Sequence, residues 1–166
     1  MVSLRLSTAL FTVYICNAVY GYPELLFANR KDIRIIEVGK DTRPQVIVKD
    51  VTDAACVDYY YEGQLVCWTD IDNELIKCVQ VNSTQGTKDH KEVTVISRGI
   101  ISPDGLAVDW LGRKLYWTDS DTNKIEVAGL YTTHRRVLFW RHLDQPRAIA
   151  LVPSEGCVQG RGRGAF

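Results

Sequence analysis

Surplus charge is missing from this sequence: twenty Lys and Arg face twenty Asp and Glu, for a formal net charge of zero. That removes the basic footprint of a nucleic-acid-binding chain and any general pull toward anionic membranes. Also missing is an apolar run of the roughly 20 residues that a membrane-spanning helix needs. The nearest approach, around Ala9 to Cys16, is short and interrupted by Thr12 and Asn17. The cysteines show neither C-x-x-C spacing nor an accompanying His pattern, which disfavours a zinc site. Amphipathic helices are excluded too, because no window keeps apolar residues at three-to-four spacing without an intervening Gly, Pro or Asp cluster. What the chain does have is 46 % hydrophobic and 10 % aromatic residues in 166, enough to bury a core and consistent with one domain.

Residues 1–21 differ in composition from the rest. Arg5, the apolar stretch and the small residues Ala18 and Gly21 have the layout of a secretory signal peptide. Its removal would take Cys16 with it and leave Cys56, Cys67, Cys78 and Cys157. Three of these stand in strand-like apolar runs, where a buried thiol acts as a small hydrophobe, so burial is favoured over bridging.

The strongest signal is a repeat. Leu65-Val66-Cys67-Trp68-Thr69-Asp70 recurs as Leu115-Tyr116-Trp117-Thr118-Asp119, with Trp117 following Trp68 by 49 residues. Ala55-Cys56-Val57-Asp58 precedes the first copy as Leu106-Ala107-Val108-Asp109 precedes the second. The leading element returns at Arg147 to Leu151, and Leu26-Phe27-Ala28-Asn29 is a weaker copy of the trailing one. A period of about 40 to 50 residues indicates a propeller or another array. Each unit holds four short runs of β-branched and aromatic residues between turn signals, the meander of one blade. The fold class expected is therefore all-β.

These motifs resemble the YWTD repeats, or low-density-lipoprotein-receptor class B repeats, that build six-bladed propellers. The wording of the loops, such as Phe27-Ala28-Asn29-Arg30, Ser102-Pro103-Asp104-Gly105 and Leu143-Asp144-Gln145-Pro146-Arg147, is similar to the first propeller of the Arrow-type Wnt co-receptors of the lipoprotein-receptor-related family. The resemblance spans residues 22–154, whose strands number three, four, four and one, about three blades of a partial ring. Residues 155–166, Gly/Arg-rich from Gly156 on, match no family element and are expected to be disordered. Val152 stands where the earlier copies carry Asp58 and Asp109.

Within that frame Trp68 and Trp117 are wedges between blades, Tyr116 precedes the second of them, and Asp70 and Asp119 close their strands by accepting from turn amides. Antiparallel alternation puts the loop after each motif and the loop leading into each innermost strand on one acidic rim. The resemblance implies that this rim is the ligand face for Wnt proteins and sclerostin- or Dickkopf-like antagonists. The positions matching it are Arg30, Asp53, Glu74, Ser102, Asp104, Asp121 and Arg147. The resemblance also implies a propeller-specific folding chaperone, an extracellular or cell-surface location, and membrane attachment only through a remainder of the receptor. Asn82-Ser83-Thr84 is a glycosylation sequon on the opposite rim. No cofactor, metal or catalytic residue is expected: apart from His142 no His stands at the channel mouth, and no Ser sits in a nucleophile-like turn. A YWTD propeller of an endocytic receptor or a basement-membrane protein is the alternative.

Overall fold

The computed structural model describes residues 14–16, 23–81, 92–132 and 134–162. Its strands are β1 (Tyr14–Cys16), β2 (Glu24–Ala28), β3 (Ile33–Glu37), β4 (Gln45–Val48), β5 (Ala54–Tyr60), β6 (Leu65–Asp70) and β7 (Leu75–Gln80). They continue with β8 (Glu92–Ile96), β9 (Pro103–Asp109), β10 (Lys114–Asp119), β11 (Lys124–Gly129), β12 (Arg135–Phe139), β13 (Ala148–Val152) and β14 (Cys157–Arg161). They form sheets β1-β2-β3-β4, β5-β6-β7-β8, β9-β10-β11-β12 and β13-β14, each an antiparallel meander in chain order.

Each sheet packs face to face on the next, and this explains the composition of the strands. A strand covered on both faces reads as a continuous apolar run rather than an alternating one. In β6, Val66, Cys67, Trp68 and Thr69 are all buried although successive side chains point to opposite faces. Trp68 enters a core with Leu26, Ile33, Ile47 and Val57, between the first and second sheets. Trp117 enters a core with Cys56, Cys67, Ile76 and Leu106, between the second and third. Their exposures of 1 % and 0 % make both indoles wedges in equivalent settings. Burying one removes on the order of 4–6 kcal/mol worth of apolar surface from water. A smaller core of Ala107, Ile125 and Ile149 joins the third sheet to β13-β14.

The register corrects the alignment of the leading element. Val57 lies opposite Trp68 and Leu106 opposite Trp117, so the strands superpose without a gap. Asp58, opposite Cys67, then corresponds to Ala107, opposite Tyr116; Asp109, opposite Lys114, corresponds to Tyr60, opposite Leu65. The recurring Val-Asp pair sits two residues apart in the two blades. The same frame matches Val152 to Asp109 and Tyr60, and not to Asp58, and it puts Gly160, opposite Ile149, in the place of the two tryptophans.

Two further expectations give way. Cys67 and Cys78 form a disulfide, because the register of β6 and β7 sets them directly opposite, with Cα atoms 4.0 Å apart. Cys56 is a buried thiol that donates to the Leu106 carbonyl at 3.7 Å, and Cys157 is exposed and outside the bridge. The tail read as disordered instead turns at Gly156, whose φ of 65° suits a residue without Cβ, and returns as β14, setting Val158 opposite Leu151. At the other end, β1 lies within the segment read as a signal peptide and pairs with Glu24 to Leu26. The rest of that segment and the Asn82 sequon lie outside the described residues.

Candidate functional site: the rim of the hairpin loops

The aspartate that ends each motif builds one end of the sheets. The Asp70 carboxylate accepts from the backbone amides of Thr52 (3.0 Å) and Asp53 (3.2 Å), in the loop leading into β5. It also accepts from Asn73 N (3.2 Å), in the hairpin after β6. Asp119 repeats the pattern: Ile101 N at 2.8 Å and Ser102 N at 3.3 Å on one side, Asp121 N at 3.2 Å and Thr122 N at 3.0 Å on the other. Both aspartates are buried, so each clamps two loops together from beneath. The threonines before them hold the innermost strands: Thr69 Oγ1 accepts from Cys56 N at 3.0 Å and Thr118 Oγ1 from Gly105 N at 2.8 Å. Thr118 Oγ1 also donates to the Arg147 carbonyl, at 2.8 Å, and so reaches the next sheet.

This scaffold brings the seven rim positions to one end. Arg30 is exposed and pairs with Asp53 at 3.1 Å. Glu74 takes the left-handed position of its hairpin, φ 52°, as Asn123 does one blade later, and its side chain is exposed. Ser102 accepts from the Ser120 hydroxyl at 3.1 Å, and Asp121 is exposed in the neighbouring turn. Asp104 differs from a solvated rim charge. Its residue is 5 % exposed, one carboxylate oxygen lies 3.9 Å from Arg147 Nη1, and Oδ2 has no hydrogen-bond partner among the described residues. Arg147 itself is exposed, directly before β13.

Around the rim, Arg34 bonds the Asp32 carboxylate at 2.7 Å through two nitrogens and holds that carboxyl below its ordinary value, against an opposing effect of burial. Elsewhere burial, with help from the Glu62 hydrogen bond at 3.2 Å, raises the Tyr60 phenol, and burial with the Asp109 charge raises that of Tyr116. No group of three or more metal-ligating side chains occurs among the described residues.

Sequence reasoning missed the polar ties between blades. Asp58 is buried and accepts from Val108 N, 2.6 Å away on β9. Arg135 on β12 makes a two-point pair with the buried Glu126, 2.7 Å at each contact, donates to the Gly99 carbonyl at 2.7 Å, and lies 5.1 Å over the Trp117 ring. Neither is a motif: Asp58 depends on the strand that the next sheet presents, and Arg135 on its own sheet and the loop between β8 and β9.

Comparison with known proteins now bears on this geometry. The low-density lipoprotein receptor repeat class B family matches residues 113–152, which begin in the β9–β10 hairpin and end with β13. Low-density lipoprotein receptor-related protein 5 is 48 % identical in Mus musculus and 50 % identical in Homo sapiens, over 135 residues in each case. The chain belongs to the low-density-lipoprotein-receptor-related family. The relatives and the repeat are those of receptor-type proteins, a receptor lineage and not an enzyme lineage. The aligned stretch covers 81 % of this chain and 8 % of each relative. The solved crystal structure of a nidogen–laminin complex contains a chain that superposes with a TM-score of 0.73 at 30 % identity. That match covers 82 % of this chain and 52 % of the other. No helix among the described residues is long and apolar enough to cross a membrane.

Proposed function

We propose that this family member is an extracellular binding segment that engages Wnt proteins and their sclerostin- or Dickkopf-like antagonists through the rim of Arg30, Asp53, Glu74, Ser102, Asp104, Asp121 and Arg147. The observation that carries the reading is the pair of buried clamps at Asp70 and Asp119, which gather loops bearing exposed carboxylates onto one end of a receptor-type propeller. Complementary charge at such a face steers a cationic or polar loop of a partner and fixes its register. The chain catalyses no reaction and needs no cofactor in this reading. It enters the secretory pathway through residues 1–21, carries a glycan at Asn82, folds with a propeller-specific chaperone and acts outside the cell.

A laminin-type partner, as in the nidogen complex, is the weaker reading, since identity to that chain is 30 % against 48 % and 50 % to the receptors. The test is surface binding of a Wnt antagonist to the secreted chain and to a Glu74→Lys/Asp121→Lys variant. A loss of at least about tenfold, steeper at low salt, is expected. Unchanged affinity removes the rim as the contact face. Asp104 is left intact, because reversing a buried carboxylate would test folding rather than recognition.

A further inference from the structure

Two of the seven rim positions, Ser102 and Asp104, are reached through the loop between β8 and β9, residues 97–102. That loop is held at three points. Ile100 is buried in the core around Trp117, and the amides of Ile101 and Ser102 donate to Asp119. The third hold is on the exposed half of the loop, where Arg135 Nη2 donates to the Gly99 carbonyl at 2.7 Å and Nη1 to the Arg98 carbonyl. Gly99, with φ 63°, takes a left-handed turn just before the buried Ile100, and Asp50, with φ 58°, does the same before the buried Val51 in the loop leading into β5. A cation grips that loop as well, Lys31 Nζ donating to the Thr52 carbonyl.

Arg135 is itself fixed in place. Its Nε and Nη2 make the two-point pair with the buried Glu126 of β11, 2.7 Å at each contact, and its guanidinium carbon lies 5.1 Å from the centre of the Trp117 ring. Four of the five guanidinium N–H groups are thus engaged, two by one carboxylate and two by successive loop carbonyls. A planar fork held on one edge by a carboxylate has one orientation, and a lysine ammonium cannot reproduce it. Arg135 is not a rim position: its strand begins opposite Ala128, at the end of the sheet away from the Asp119 turn.

We propose that Arg135 is a positioning residue for recognition at the rim. By fixing the Arg98 and Gly99 carbonyls it sets the path of residues 97–102, and with it the placement of Ser102 and Asp104, before any partner arrives. This rests on the rim being the contact face. A loop ordered beforehand loses less conformational freedom on binding, so the partner is held longer. The rim charges that steer encounter are the same with or without Arg135, so the effect falls on dissociation and not on association.

Holding the loop and holding the fold are separable, because Arg135→Met/Glu126→Leu removes one charge of each sign and replaces the ion pair by apolar side chains. The secreted chain and this variant are compared by surface binding of a sclerostin-like antagonist, by thermal melts and by amide hydrogen exchange. The variant should melt near the parent, exchange the amides of Ile101 and Ser102 faster, associate at the parental rate and dissociate about three- to tenfold faster. Melting and dissociation that both match the parent overturn the positioning role. Where the double variant melts well below the parent, Arg135→Lys decides, since it keeps a cation beside Glu126: faster dissociation supports the role and parental dissociation overturns it. Glu74→Lys/Asp121→Lys is run alongside. If that variant loses binding while the Arg135 variants keep it, the positioning role alone falls; if it too binds like the parent, the rim falls as the contact face and the positioning role with it.

Discussion

Replacing Asp119 by alanine is the most informative single change to the scaffold. The carboxylate accepts from four backbone amides, those of Ile101, Ser102, Asp121 and Thr122, at 2.8 to 3.3 Å, and is fully buried. Hydrogen bonds to a charged acceptor contribute about 1.5–3 kcal/mol each, but the amides of Asp121 and Thr122 sit in an outer turn where water can replace the lost partner. The amides of Ile101 and Ser102, in part-buried hydrogen bonds, bridge to a second loop. Leaving these two donors unpaired costs up to about 1–3 kcal/mol apiece, so a total of at most about 2–6 kcal/mol is expected. That is a large part of a typical domain's 5–15 kcal/mol. Urea unfolding followed by tryptophan fluorescence at fixed protein concentration should show the midpoint falling by about 1–3 M for an m-value near 2 kcal/mol/M. Asp121→Ala, at an exposed side chain in the same turn, should stay within about 0.5 kcal/mol of the parent. If the two variants unfold alike, Asp119 is not a clamp and the rim has no fixed geometry.

Removing the Cys67–Cys78 bridge by a double alanine substitution opens a loop with a sequence separation of 11 and should cost about 3 kcal/mol, read from the same urea curves. Arg135→Ala strands the buried Glu126 carboxylate and should destabilise by about 3–5 kcal/mol, whereas Arg135→Met with Glu126→Leu should recover most of the loss in thermal melts. Tyr60 and Tyr116 carry phenols raised in the folded state, so the stability they confer is complete below the unfolded value of about 10 and disappears as pH climbs through their folded values. Phenolate absorbance should show both titrating later than free tyrosine, with the urea midpoint dropping above about pH 10.

Much of the architecture was legible because it repeats. Trp68 and Trp117 announce equivalent cores, and Asp70 and Asp119 announce equivalent turns, since both pairs follow from what a radial stack asks of one strand. The features that escaped notice depend on two strands at once. A Val-Asp pair recurs in each leading element, and only the register shows that Asp58 faces the neighbouring sheet while Asp109 caps a hairpin, accepting from Gly112 N at 2.7 Å. Cys67 and Cys78 are each plausible as small hydrophobes until pairing sets them opposite one another. Arg135 carries no motif in the sequence, yet it ties the third sheet to Gly99. Cys157–Arg161 lack family wording, but backbone pairing requires no particular side chain, and this stretch pairs along the edge of β13.

The same clamps decide what the rim can recognise. Seven of its loop amides, those of Thr52, Asp53, Asn73, Ile101, Ser102, Asp121 and Thr122, already donate to Asp70 or Asp119. Backbone amides free to cradle a phosphate or a carboxylate are therefore few along these loops, and anion capture by a nest of amides is disfavoured. What the loops present outward is side-chain charge: the exposed carboxylates of Glu74 and Asp121 and the exposed guanidinium groups of Arg30 and Arg147. In the proposed reading, recognition runs through charged side chains set on clamped turns, which suits a polypeptide partner bearing its own pattern of charges. Because the clamps are internal, rim side chains can vary without loosening the turns that hold them, so specificity and stability reside in different residues of the same loops.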